Sequence, residues 1–186
     1  MFAGVMGPAQ ALDVVIDAAA LLRDLPDVQF VLVGGGNDVA TLRKAAADRQ
    51  LDNILFLGQH PPDIMPRFFA AADVLFLHLK KDPLFRITIP HKTFAYMASA
   101  KPVLAAIEGD VAAVVERAGA GLTCPSGDPE SLAATVRQLH SMTTTERSQM
   151  GARGREAACR LFARDTCISQ LGSMIESVVR RSVPAI

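Results

Sequence analysis

Arg86, His91 and Lys92 gather in one short segment, Arg86-Ile87-Thr88-Ile89-Pro90-His91-Lys92-Thr93-Phe94-Ala95-Tyr96-Met97. Thr88 can cap a helix and Pro90 suits its first turn, which places His91 and Lys92 among the free amides of a helix N-terminus. Cations there oppose the helix macrodipole, at a cost of roughly a few tenths of a kcal/mol each. A polyanion in front of the turn would reverse that sign. With Arg86 just upstream, the segment has the cations for a pyrophosphate. A solvated basic loop is the alternative.

A second candidate is the glycine run Val33-Gly34-Gly35-Gly36-Asn37-Asp38, which joins an apolar run to an amphipathic one. Glycine allows backbone to approach a ligand closely, and a helix N-terminus favours an anion. The run is neither GxGxxG nor a P-loop, so a tight strand-to-helix turn with Asp38 near the cap fits equally well. Gly58, Gln59 and His60, with Pro61-Pro62 behind them, make a polar loop after a third apolar run. Ligands of open α/β sheets bind at such strand ends. No Ser/His/Asp set, close carboxylate pair or His/Cys cluster has a spacing that suits hydrolysis or a metal, so no metal site is expected.

These segments sit in an alternation of strands and helices. Strands are expected at Met1–Val5, Val28–Val33, Ile54–Leu57, Val74–Leu79, Val103–Ile107 and Leu122–Cys124, nearly all continuous in apolar residues, as in strands buried on both faces. Leu12–Leu22 and Ala40–Gln50 carry helical apolar spacing, the latter stopping at Asp52-Asn53. Asp128-Pro129-Glu130 opens a helix running to about His140. Two more helices are expected at Thr143–Phe162, with a Thr/Glu capping signal, and at Asp165–Arg181. The fold class is α/β: a doubly wound parallel, Rossmann-like sheet with a helical C-terminal tail. One domain spans 1–186, with a core over about 1–141 and C-terminal helices over 142–186. A first strand starting at Met1, where such folds place a central strand, suggests a piece of something larger.

Composition narrows the function. The 19 Lys+Arg balance 19 Asp+Glu, which argues against a nucleic-acid binder. Half the residues are hydrophobic, which argues against disorder. No apolar run reaches the roughly 18 residues of a membrane span, and no export signal is visible. The three cysteines (Cys124, Cys159, Cys167) lack metal or CxxC spacing and read as structural thiols of a cytoplasmic protein.

At these residues the chain resembles the nucleotide-binding, C-terminal half of the family 4 (group 1) glycosyltransferases of the GT-B fold. The resemblance runs through Phe2-Ala3-Gly4 with Gln10-Ala11-Leu12-Asp13, Phe30 to Gly36, Ile54 to Gly58, Ala71 to Leu75, Ile89 to Ala98, Lys101-Pro102-Val103-Leu104, and Gly119 to Leu132. Within the family it is most similar to bacterial capsule and O-antigen transferases of the WbuB type. The resemblance implies retaining transfer of a sugar from a nucleotide diphosphate donor, often UDP-linked, to a saccharide or lipid-linked acceptor. The donor is the substrate, and no cofactor is implied. The donor-binding positions it implies are Gly4, Gln10, Gly34, Gly58, Gln59, Arg86, Pro90, Lys92, Thr93 and Ala95, with catalytic residues unassigned. An N-terminal acceptor domain, on another chain or lost, would complete the cleft, at the inner face of the membrane if the acceptor is lipid-linked.

Departures from the family pattern are specific. Of two glutamates that members commonly carry eight residues apart, the later, a ribose ligand, falls on Ala95 and the earlier on Ile87. Val5 and Gln10 stand where many members have Arg and Lys, and Ala100 where glycine is usual. Two other functions therefore stay open: a non-catalytic remnant with weak nucleotide binding, and a sugar-nucleotide epimerase of the same architecture.

Overall fold

The computed structural model describes residues 1–182, with side chains through Val179. Two parallel triplets form its centre. In one, β1 (Phe2–Ala3), β2 (Phe30–Val33) and β3 (Ile54–Gly58) pair in that order; in the other, β4 (Leu75–His78), β5 (Val103–Ala106) and β6 (Gly121–Cys124) do. The triplets abut where Met1 meets β4: Phe76 N–H donates to the Met1 carbonyl (2.8 Å), and the Met1 nitrogen donates to the Val74 carbonyl (2.7 Å). Strand order thus reads 3-2-1-4-5-6, and it reverses between β1 and β4. That reversal opens a crevice at the C-terminal strand ends, where ligands of such sheets bind.

Side chains alternate across the sheet into two cores. Phe2, Leu32, Phe76 and Leu104 pack on one face with α1 (Asp13–Leu21), α2 (Val39–Asp48) and α7 (Pro129–Ser141). Ala3, Val33, Leu75, Leu77 and Val103 pack on the other with α3 (Met65–Ala71), α5 (His91–Ala98), α6 (Asp110–Arg117) and α8 (Thr144–Leu161). A short α4 (Pro83–Arg86) precedes α5, and α9 (Arg164–Ser182) follows α8.

The expected alternation, the doubly wound sheet and the helical tail are all present. The caps expected for α7 and α8 form: Asp128 accepts from Ser131 N–H (3.0 Å), and Thr143 and Glu146 close a capping box. Four details differ. β1 is only two residues long, because Gly4 (φ +140) turns the chain out of the sheet. β3 is an edge strand with Leu55 and Leu57 exposed, so it is not buried on both faces. α2 ends earlier than Asp52-Asn53 would place it. Gln50 adopts a left-handed φ of 52, and Leu51 N–H bonds back to Ala46. Of the three thiols, only Cys124 is buried.

Candidate functional site at the strand crossover

Two loops and a helix start meet at the crevice. The loop after β1 and the glycine turn after β2 run backbone against backbone: Gly4 N–H donates to Val33 O (2.9 Å), Met6 N–H to Gly35 O (2.7 Å) and Asp38 N–H to Met6 O (3.1 Å). A Cβ on Gly34 would lie 1.9 Å from the Gly4 carbonyl oxygen, and one on Gly36 2.1 Å from that of Met6. Glycine at 34 and 36 is therefore required by the neighbouring loop. Asp38 is the N-cap residue of α2, though without a side-chain bond.

The third part is the start of α5. Its N-cap is Pro90, in extended conformation and with no side-chain cap, rather than Thr88. Thr88 instead donates its hydroxyl to Leu84 O (2.7 Å) and closes α4. Lys92, in the first turn, folds over the end of β1. Its Nζ donates to Ala3 O (3.2 Å) and lies 4.2 Å from the centre of the Phe2 ring. A Cβ on Gly4 would come within 2.6 Å of that nitrogen, so glycine there makes room for the ammonium. Burial pulls the Lys92 pKa down to about 8. No carboxylate lies within ion-pair distance of it among the described residues.

One turn on, the buried Tyr96 hydroxyl accepts from Ala3 N–H (2.9 Å) and donates to Ala3 O (3.1 Å). Burial raises its pKa to about 12, so it stays a neutral donor and acceptor. Two α5 side chains thus satisfy the edge of β1 where β4 diverges.

The remaining predicted residues divide. Gln59 is exposed beside Gly35, and Gly58 (φ +75) has open space where a side chain would stand. Gln10 is half-buried in the loop after β1. Ala95 is exposed on α5 and free of the core. Thr93 does not fit the donor-contact role: it is fully buried and offers a ligand no surface. Arg86 lines a separate cavity of about 120 Å³, with Lys80, Asp82, Glu108 and Ser126, and Lys92 is not part of that lining. His60 is exposed, bonds the Leu57 carbonyl through Nε2 (3.1 Å) and packs on Phe68.

A larger cavity, about 660 Å³, lies at the opposite edge among Gln29, Val74, His140 and Arg147. Among the described residues no group of three or more His, Cys, Asp or Glu could hold a metal ion, and no helix is long and apolar enough to cross a membrane. His78, which closes the apolar strand β4, was not singled out from sequence. Its burial (3% exposed) among loop backbones makes it notable here.

Residues 1–142 match the family described as glycosyl transferases group 1. The chain belongs to that family. This group 1 chain is 27% identical over 140 residues to the probable glycosyltransferase WbjE of Pseudomonas aeruginosa, covering 74% of itself and 34% of that relative. It is 29% identical over 181 residues to a D-inositol 3-phosphate glycosyltransferase of Salinispora tropica, covering 91% and 36%. Among solved structures, Anabaena Alr3699/HepE in complex with UDP superposes with a TM-score of 0.79 at 23% identity, covering 95% of this chain and 48% of that one. The domain thus has a Rossmann-like α/β fold that matches part of GT-B glycosyltransferase structures, and it spans about a third of those two curated relatives and about half of that solved chain.

Proposed function

We propose that this domain holds the nucleotide diphosphate of a sugar donor, UDP-linked, for a retaining glycosyltransferase. The observation that carries the reading is Lys92: a cation without a carboxylate partner among the described residues, in the crevice between β1 and β4, in the first turn of a helix with no side-chain cap. An incoming pyrophosphate supplies the missing counter-charge and accepts from the amides of that turn. Family membership and the UDP held by the HepE structure support the same reading.

In the transfer, the bond from the anomeric carbon to the diphosphate oxygen breaks. A bond from that carbon to an acceptor hydroxyl oxygen forms, and the hydroxyl proton leaves. Residues of this chain that hold the leaving diphosphate stabilise the charge developing on it. A saccharide or lipid-linked acceptor of surface polysaccharide synthesis, of the WbuB type, and an acceptor-binding half that completes the cleft belong to the same proposal. No cofactor takes part.

Calorimetric titration with UDP, with inorganic pyrophosphate as second ligand, tests the reading. Binding of both, weakened in Lys92→Ala, supports it, and no binding of either overturns it. One observation favours a second reading, a nucleotide-binding domain without transfer: Ala95 presents a methyl group where the family resemblance implies a ribose-binding carboxylate. Sugar transfer by the purified chain alone would exclude that second reading.

A further inference from the structure

The loop between β1 and α1 is held from two sides. The glycine turn holds it through Met6, as described. On the far side, Lys80 N–H donates to the Ala9 carbonyl (2.9 Å), and beside it His78 Nδ1 lies 2.6 Å from the Gln10 carbonyl oxygen. The second ring nitrogen is also engaged. Gly127 N–H, in the loop between β6 and α7, points at His78 Nε2 from 3.0 Å. Ser126 pins the same loop by donating its hydroxyl to the Leu79 carbonyl. A carbonyl only accepts and an amide N–H only donates, so the imidazole must carry its proton on Nδ1 and leave Nε2 bare. No other tautomer, and no charged form, satisfies both partners.

We propose that His78 is a positioning residue of the donor site: its neutral imidazole clasps the β1–α1 loop to the β6–α7 loop and so sets the backbone that faces the nucleotide diphosphate. The inference rests on the donor-site reading above. A proton added at Nε2 would confront Gly127 N–H donor to donor, and its one other neighbour among the described residues, the Ser126 hydroxyl oxygen at 3.5 Å, is too far for a good bond, so the grip on the β6–α7 loop weakens. Charged groups on the surrounding segments are Asp13 in the first turn of α1, Lys80 two residues along the chain and Asp128 next to Gly127. Burial holds the His78 pKa below its ordinary value of 6.5, outweighing the Gln10 carbonyl and then Asp13, both of which favour the charged ring. The clasp is therefore closed at neutral pH and opens only in acid.

Asparagine at 78 keeps a donor for the Gln10 carbonyl and does not titrate; phenylalanine removes both bonds. UDP is titrated into the full chain and both variants from pH 8 to pH 5. At pH 8, His78→Asn should bind within about threefold of wild type and His78→Phe roughly tenfold or more weakly. On acidification wild type should weaken more steeply than His78→Asn. Taking the difference removes the terminal phosphate of UDP itself, which protonates at about pH 6.

Nitrogen-15 NMR of the wild-type chain supplies a readout that needs no ligand. The His78 ring should show the Nδ1–H tautomer, and the Gly127 amide should move with the midpoint of the ring. Parallel pH profiles for wild type and His78→Asn, unchanged UDP affinity in a folded His78→Phe, or an Nε2–H tautomer would each overturn the proposal. If His78→Phe does not fold, the His78→Asn profile and the NMR decide. A wild-type chain that binds no UDP overturns the donor-site reading and this role with it. A tautomer and shared midpoint as expected would then leave only the loop clasp standing.

Discussion

The Lys92 ammonium lies 3.2 Å from the carbonyl oxygen of Ala3, 89 residues away in the chain, with no carboxylate in ion-pair distance among the described residues. Its pKa is about 8 in the fold against 10.5 when unfolded. Between those values the unfolded chain binds the extra proton, so stability should rise as pH climbs from about 8 to 10.5 and stay level below 8. Lys92→Met should abolish the rise, which is about 1–2 kcal/mol once partial exposure is allowed for. Denaturant unfolding at pH 7 and pH 10 reads it directly. UDP binding has the opposite dependence: the anion needs the charged lysine, so affinity should hold to about pH 8 and fall above it. At pH 7 the mutant should lose about 1–3 kcal/mol of UDP binding.

Gly34 and Gly58 both have positive φ, but their surroundings differ. Alanine at 34 would drive its Cβ into the Gly4 carbonyl, which can move only if β1 moves. Alanine at 58 meets nothing within 4 Å and pays only backbone strain. Gly58→Ala should cost about 1–2 kcal/mol, and Gly34→Ala more than about 3 kcal/mol. Thermal melts of the two mutants should differ clearly, and equal melting temperatures would refute the packing argument.

Thr93 gives a prediction of opposite sign. Its hydroxyl is buried and finds no hydrogen-bond partner among the described residues. Valine replaces that oxygen with a methyl group of nearly the same shape. Thr93→Val should stabilise the fold by about 1 kcal/mol, the desolvation cost of an unpaired polar group, or roughly 2–4 °C in melting temperature for a chain of this size. UDP affinity should not change. A weaker UDP complex would return Thr93 to the donor contacts.

What was legible in the sequence follows from range. The strands at Phe30–Val33, Leu75–His78 and Val103–Ala106 were readable because burial on both faces leaves continuous apolar runs. The caps at Asp128 and Thr143 were readable because each partner lies within three residues. The site depended on longer connections. His78 reaches Gln10 across 68 residues and Gly127 across 49, and Lys92 settles on β1 across 89. Nothing local in His78 distinguishes it, except that it ends an otherwise apolar strand. The edge position of β3 is a matter of sheet order, which its own residues do not encode. Thr88 was misplaced as a cap because α4, a single turn after Asp82-Pro83, was not anticipated.

Ala100 follows α5 with φ +58, a left-handed conformation in which its Cβ is strained. It is also where the family resemblance implies glycine. The close approach of α8 fixes that backbone: a Cβ on Gly151 would lie 2.1 Å from the Ala100 carbonyl oxygen. Ala100→Gly should relieve about 1–2 kcal/mol of strain and give back roughly half to the greater freedom of the unfolded chain. A net gain of about 0.5–1 kcal/mol is expected in denaturant unfolding. A destabilised mutant would mean that the Ala100 methyl group packs usefully despite its conformation.

Ala95 lies one turn beyond Lys92 on α5 and is exposed, so the helix accepts a longer side chain there without disturbing Tyr96 or Met97 in the core. Glutamate at 95 would place a carboxylate where the family resemblance implies a ribose ligand. Charged hydrogen bonds to the ribose hydroxyls contribute about 1.5–3 kcal/mol each in good geometry. Recovery of about 1.4 kcal/mol would tighten UDP binding tenfold. Pyrophosphate separates this gain from a general electrostatic effect: it has no ribose, and the added negative charge should leave its binding unchanged or weaker. Melting temperature should stay close to wild type, since the position is solvated. A folded Ala95→Glu that binds UDP no better than wild type would place the ribose elsewhere along the crevice. Equal tightening of UDP and pyrophosphate would show that the carboxylate acts through Lys92 rather than on the sugar.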